Sequence, residues 1–261
     1  MLQLSAPNVL VSVLRNQAHR VLGGVRIGGH RTATWSPEHI AAHGRSIFST
    51  VAPHFTEWRG KVGLEIGPGD NLEVCRLFLE SGAARMLAVE RYADPKSSDG
   101  RTCVLRQEIE RLDVISAVDF AYSNDALEHV TSVQLSLQSV YRALRPGGRF
   151  VCSVDLRGHN VFNKPKRPLD FLTCPDWLWH LMFSHLATTN QVRAGELLRA
   201  ATDTGFSVLG VNCLAKADAG YLRQVRPHLL PRYRELPDSD LEVLQILLVL
   251  EKPAERGECA A

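Results

Sequence analysis

The chain has 261 residues, 45% apolar and 22% charged, which is enough for one α/β domain with additions and a core of its own. Thirty basic against 28 acidic residues leave a net charge of +2, from which no general nucleic-acid or membrane reading follows, so any basic partner surface must be a local one. No apolar run reaches the roughly 18 residues of a membrane span, and the opening Val9–Leu14 run lacks both a preceding basic region and a small-residue cleavage site, so a cytoplasmic protein is expected.

In chain order, Val9, Leu10, Val13, Leu14, Val21 and Leu22 with Arg15, His19, Arg20 and Arg26 have the pattern of a basic amphipathic helix. Three readings stay open: contact with an anionic membrane surface, packing over the mouth of a site, or partial disorder. Gly23-Gly24 and Gly28-Gly29 break the pattern, and Ser36-Pro37 then starts a helix, as cap and first-turn proline, that runs to about Ala52. Strands are predicted at 61–66, 85–90, 102–105, 118–123 and 149–155, with helices at 71–81 and 131–144 between them. A helix at 193–203 ends near Gly205, and strands follow at 206–214 and 244–251. Strands alternating with helices imply right-handed crossovers, a mostly parallel sheet and helices on both faces. The six cysteines show neither a C-x-x-C pair nor a Cys/His ligand spacing, so free thiols, most of them buried, are expected and no metal site.

The most informative stretch is Lys61–Leu72, KVGLEIGPGDNL, followed by Glu90 at the end of the apolar run MLAVE. Gly67 and Gly69 permit a tight turn and leave room where a Cβ would intrude, and Glu90 can accept hydrogen bonds from both hydroxyls of a ribose. A pyrophosphate-binding turn wants a third glycine where this chain has Leu72. Glu65, at the end of the first strand, would repel a diphosphate and attract a cation. These departures point away from a nicotinamide dinucleotide and toward S-adenosylmethionine, which carries an ammonium and a sulfonium.

Four segments then occur in family order: Glu65–Gly69, Glu90, Ser123–Val130 (SNDALEHV) and Leu144–Phe150 (LRPGGRF). In these the chain resembles the class I S-adenosylmethionine-dependent methyltransferases of the bacterial type 11-like group, over residues 60–155 and more loosely to 252. The resemblance implies a Rossmann-like seven-stranded sheet of order 3-2-1-4-5-7-6 whose last two strands form an antiparallel hairpin. Around the methyltransferase domain expected over 59–252, the residues themselves predict a helical extension over 1–58, a lid insertion at 156–192 and a disordered tail at 253–261. The resemblance also implies that Glu65, Gly67, Gly69, Asn71, Glu90, Glu108, Ile109 and Asn124 bind the cofactor, with Glu108 near the adenine amine and Asn124 at the methionine end.

The connection from Leu156 to Val192 is far longer than usual and carries Phe162, Phe171, Trp177, Trp179 and Phe183, which makes it a substrate lid. Methyl transfer to a hydroxyl needs alignment and a base. His159 is the first candidate, Asp155 its orienter or the base itself, and His129 and His185 are further candidates. In the family that this chain resembles, the pair Glu128-His129 mostly caps and braces the loop and helix after the fourth strand, so a catalytic His129 is the lesser reading. Arg157, Lys164, Lys166 and Arg167 in the lid, with Arg223, Arg226, His228, Arg232 and Arg234 later, either favour an anionic acceptor or form a solvated basic surface. The expected function is O-methylation of a small polar acceptor such as a sugar, glycan precursor or secondary metabolite, with no nucleic-acid partner. The rivals are a non-catalytic cofactor- or partner-binding protein of the same fold and, less favoured, a nicotinamide oxidoreductase.

Overall fold

A computed structural model describes residues 6–21, 35–95, 100–159, 162, 164–182 and 189–254. His185, Phe183, the glycine pairs at 23–29 and the tail beyond 254 lie outside the described residues. The elements are α1 (Ala6–Val21), α2 (Pro37–Val51), β1 (Val62–Ile66), α3 (Glu73–Glu80), β2 (Arg85–Val89), β3 (Thr102–Leu105), β4 (Val118–Asn124), α4 (Val133–Ala143) and β5 (Leu144–Asp155). They continue with α5 (Asp176–Met182), α6 (Ala194–Thr204), β6 (Ser207–Lys216), α7 (Ala219–Val225), α8 (Pro231–Arg234), α9 (Asp238–Leu241) and β7 (Val243–Glu251).

The strands form one sheet of order β3-β2-β1-β4-β5-β7-β6. The pairs from β3 through β5 are parallel, and β7 runs antiparallel to both β5 and β6. This is the expected sheet and strand order. β5 starts earlier than expected, because Leu144 already pairs with Val118 before the Arg145–Gly148 turn shifts the register.

Alternation along β1 shows how the sheet divides its two faces. Leu64 and Ile66 pack with α4 and α6 residues such as Leu137, Val140 and Leu197, while Gly63 and Glu65 face α2 and α3. On that second face Phe78 is completely buried, with its ring centroid 4.8 Å from Phe48, 5.0 Å from Phe120 and 5.2 Å from Tyr122. Burying a side chain of this size is worth on the order of 2–3 kcal/mol. Gly63 makes the packing possible, since a Cβ there would lie 2.3 Å from Phe120 and 2.6 Å from the Met86 sulfur.

α2 begins as its sequence predicts, with Ser36 Oγ accepting the His39 amide at 3.2 Å, and α6 ends on Gly205 at φ 105°. Val51, Ala52 and Phe55 belong to the core of the second face, with Ile47 and Phe48 packed against it, so the end of α2 is part of the sheet's own packing. A third apolar cluster lies outside the sheet. It joins the lid (Phe162, Phe171, Trp179, Met182) to the β6–β7 connection (Leu222, Leu229, Tyr233), with Val9 and Val13 of α1 packed against it. Among the described residues the five cysteines are free, and Cys213, unlike the rest, is exposed.

Candidate functional site

The parallel strands deliver their C-terminal ends to one edge of the sheet, and an open cleft of about 190 Å³ lies there. Its wall includes Gly67, Gly69, Glu90, Glu108, Ile109 and His129. β2 stops at Val89, and the Glu90 amide still donates to the Leu105 carbonyl at 3.0 Å, which fixes Glu90 at the rim. Its Oε1 accepts the amides of Tyr92 at 2.7 Å and Ala93 at 2.8 Å, and its Oε2 accepts the Gly69 amide at 3.1 Å. An ionised carboxylate has about four lone-pair directions, so capacity remains for a ligand hydroxyl.

Gly67 and Gly69 both adopt left-handed backbone, at φ 71° and 69°. Their surroundings differ. A Cβ on Gly67 would come within 2.6 Å of the Ala126 Cβ, whereas one on Gly69 would meet no protein atom within 4 Å. The space over Gly69 is therefore open on the ligand side, a cradle that fits a nucleoside ligand and that a side chain would fill.

Three of the expected cofactor residues are not in this wall. Glu65 turns beneath the loop, where the Cys75 thiol donates to its Oε2 at 2.8 Å and Tyr122 lies alongside. Burial pushes its pKa up to about 7, against the hydrogen bonds from Cys75 and Tyr122. Asn71 accepts the Glu73 amide at 3.2 Å and closes the turn into α3. Asn124 donates to its neighbour Asp125 at 3.3 Å. Leu72, where a dinucleotide turn has its third glycine, packs against the second-face core. Glu108 lies in the wall and is paired with Arg91 and Arg111.

Asp125 was not singled out by its sequence context, yet it lines the cleft in left-handed conformation at φ 50°. Its Oδ1 accepts Ser153 Oγ at 3.0 Å and Gln245 Nε2 at 3.3 Å. Burial raises its pKa despite these bonds. The pairing depends on β7 lying beside β5, which no local pattern announces. Glu110, also in the wall, accepts the Thr131 amide at 2.8 Å and so ties the β3 turn to the β4 loop.

The candidate bases meet beside this cleft. His159 Nε2 lies 3.3 Å from Asp155 Oδ2, and its ring centroid is 5.2 Å from that of His129. Asp155 is also held by Arg157, Nε to Oδ1 at 2.8 Å and Nη2 to Oδ2 at 2.7 Å. Burial pushes the Asp155 pKa up, but the hydrogen bonds from His159 and Arg157 prevail and hold it well below the usual carboxylate range. Such a carboxylate orients His159 rather than taking a proton at neutral pH. Glu128 is fully buried with neither carboxyl oxygen hydrogen-bonded, and burial raises its pKa strongly. Just beside it the lid is stapled to the β4 loop, since Asn190 gives its side-chain amide to the Leu127 carbonyl at 2.8 Å and its backbone amide to the Glu128 carbonyl at 2.5 Å.

Much of the basic charge expected to meet an acceptor is used inside the accessory lobe. Arg232 pairs with Asp176 at 2.6 Å, Arg167 with Asp170 at 2.8 Å, and Arg226 holds Asp238 and the Leu236 carbonyl. A second cavity, about 390 Å³, is lined by Arg193, Glu196, Arg199, Arg232 and Asp240, and shares no residue with the glycine cradle. Among the described residues no group of three or more His, Cys, Asp or Glu could hold a metal ion, and no helix is long and apolar enough to cross a membrane.

The strand order, the left-handed glycine turn and the Glu90 carboxylate at the cleft rim define a doubly wound sheet with an open cleft at its C-terminal edge. Residues 42–211, well over half of the chain, match the profile of a methyltransferase domain. The chain therefore belongs to that family as a class I S-adenosylmethionine-dependent methyltransferase, and S-adenosylmethionine is its cofactor. Among solved structures it is similar to an S-adenosylmethionine-dependent methyltransferase from Mesorhizobium loti, at 19% identity over 78% of this chain and 96% of that one, TM-score 0.51. Phosphoethanolamine N-methyltransferase 2 of Haemonchus contortus, in complex with S-adenosylmethionine, is 14% identical over 80% of this chain and 52% of its own, TM-score 0.52. The [4+2]-cyclase SpnF is 14% identical over 95% and 96%, TM-score 0.52. At these identities the likeness is one of fold. No curated protein sequence matches the chain.

Proposed function

We propose that this methyltransferase O-methylates a small polar acceptor, a sugar, glycan precursor or secondary metabolite, with His159 as general base. The observation that carries the reading is the Asp155–His159 contact at 3.3 Å, with the His159 ring 5.2 Å from that of His129 in the cleft wall. Bound S-adenosylmethionine supplies a methyl group activated on sulfonium. Glu90 accepts hydrogen bonds from the ribose hydroxyls, Gly67 and Gly69 leave room for the nucleoside, and Ile109 covers the adenine with Glu108 near its amine. Asp155, itself clamped by Arg157, accepts the His159 Nε2–H and so sets the ring's orientation and tautomer, which leaves Nδ1 to take the hydroxyl proton. His129, at 5.2 Å, borders the same space and is the second candidate base.

Because the arginines named above bind acids within the lobe, nothing in the arrangement demands an anionic acceptor. The test begins with calorimetric titration of the protein with S-adenosylmethionine against NADH and NADPH. It continues with a screen of hydroxyl, amine and carboxylate acceptors for a mass gain of one methyl group. A hydroxyl product whose formation requires His159 supports the proposal. Methylation of amines alone, or product formation undiminished in His159→Gln, sinks the hydroxyl-and-base reading while leaving the cofactor in place. Cofactor binding with no turnover in the screen would favour the non-catalytic rival.

A further inference from the structure

We propose that the outward faces of α1 and α5 form a docking surface for an anionic phospholipid bilayer. α1 packs one stripe onto the lid: Val9 and Val13 join its apolar cluster, and the nearly fully buried Asn16 donates to the Leu181 carbonyl of α5 at 2.8 Å. The other side of the same helix carries Leu10, Val11 and Leu14, exposed by 58%, 61% and 59%. On α5, Trp179 and Met182 turn inward, while Trp177 and Leu181, one helical turn apart, stay 67% and 38% exposed. Five of the ten large apolar side chains exposed among the described residues therefore lie on two helices in direct contact. A soluble surface scatters such residues singly, and their concentration marks an interaction face.

Charge decides the occupant. Arg157 and Arg167 are paired with Asp155 and Asp170, and beyond those pairs α1 carries Arg15 and Arg20 with no acidic residue, and the lid ahead of α5 carries Lys164 and Lys166, whereas the whole chain is close to balanced at 30 basic against 28 acidic residues. An apolar face with an exposed tryptophan, in segments carrying this basic excess, matches the boundary between anionic headgroups and acyl chains. α1 has 16 residues, too few to cross a bilayer, so it lies in the surface plane. α5 is part of the lid, and docking thus places the lid itself at the lipid surface. The inference stands on these faces and is independent of which acceptor is methylated.

The test is sedimentation of the full chain with vesicles of phosphatidylcholine alone and of phosphatidylcholine mixed with phosphatidylglycerol, repeated at high salt, with light scattering in the absence of lipid. Binding should favour the phosphatidylglycerol vesicles and weaken about tenfold or more with salt, with Leu14→Glu and with Trp177→Ser. Both substituted side chains are exposed, so thermal unfolding and S-adenosylmethionine titration should match the parent. Failure to bind anionic vesicles, or equal binding by both variants, overturns the proposal. So does a lipid-free dimer that Leu14→Glu splits, since the face would then serve a second copy of the chain.

Discussion

The Glu90 carboxylate accepts the Gly69 amide at 3.1 Å, and so the acid after β2 holds the glycine turn after β1. The two ends of the cofactor-binding pattern brace each other before any ligand arrives. The residue proposed to meet the ribose is also a structural part of the loop that shapes the pocket.

Glu90→Gln keeps one oxygen, enough for the Tyr92 and Ala93 amides, and turns an NH2 group toward the Gly69 amide, whereas Glu90→Ala leaves all three amides without an acceptor. We expect Glu90→Ala to lose at least about tenfold in S-adenosylmethionine affinity, about 1.4 kcal/mol. It should also unfold at lower temperature, since each stranded amide costs on the order of 1 kcal/mol. Glu90→Gln should weaken binding with a smaller stability loss. Calorimetry and thermal unfolding on the same samples separate the effects.

The two loop glycines should respond differently to alanine. Gly67→Ala combines a left-handed backbone with a 2.6 Å approach to Ala126, so the protein itself is destabilised, by about 2 kcal/mol or more. Gly69→Ala has only the conformational cost, about 1 kcal/mol, and its methyl group points into space meant for the ligand. Denaturant unfolding should rank Gly67→Ala as the less stable variant. Calorimetry should show cofactor binding impaired in Gly69→Ala even where the protein is folded.

Glu65 sets a pH dependence of stability. In the unfolded chain its carboxyl titrates near 4.5, and in the folded protein burial raises it to about 7. Between those values the native state keeps a proton that the unfolded state has released, so this group's contribution is full below 4.5 and is lost as pH rises through 7. The loss amounts to about 3 kcal/mol. Glu65→Gln, which cannot ionise, should therefore show a smaller fall in Tm between pH 5 and pH 8 than the parent. Parallel curves for the two proteins would contradict the burial argument.

His159→Gln should lower kcat by about 10²-fold or more with the affinity for S-adenosylmethionine unchanged. Asp155→Asn should lower kcat less, because it removes the orienting group and leaves the imidazole. If kcat for hydroxyl acceptors is insensitive to both, His129 becomes the base to test.

Arg193 is the largest fully buried side chain and donates to the carbonyls of Leu156 at 2.7 Å and Leu241 at 3.1 Å, and to that of Val243. It ties the start of the lid to the start of β7. Arg193→Met leaves those carbonyls buried without donors and should destabilise the chain by about 3 kcal/mol or more, read by urea unfolding.

The sequence by itself determined the strands of the sheet and the turn that Gly67, Gly69 and Glu90 build. Each strand of the parallel half is a short apolar run with a turn signal behind it, and Gly67, Gly69 and Glu90 fall at fixed places relative to strand ends. Local chemistry therefore implied their position, the strand–helix alternation implied a mostly parallel sheet, and the strand order came from the resemblance to the class I methyltransferases. The helix caps at Ser36 and Gly205 were readable for the same reason, since each acts on backbone a few residues away.

Only the tertiary structure decided what depends on partners distant in the chain. Glu65 looks like a ligand residue in sequence, but the pleat turns it toward Cys75 and Tyr122, one of them on another strand. Asp125 became a site residue because Ser153 and Gln245, from two other strands, hold it. Arg226 and Arg232 read as free cations until Asp238 and Asp176 are found opposite them. The amphipathic pattern of α1 gave no sign of which side would be covered. That was settled by the lid, which takes Val9, Val13 and Asn16 and leaves Leu10, Val11 and Leu14 outside. Periodicity specifies that a face exists, and the choice of what covers it lies with segments folded from elsewhere in the chain.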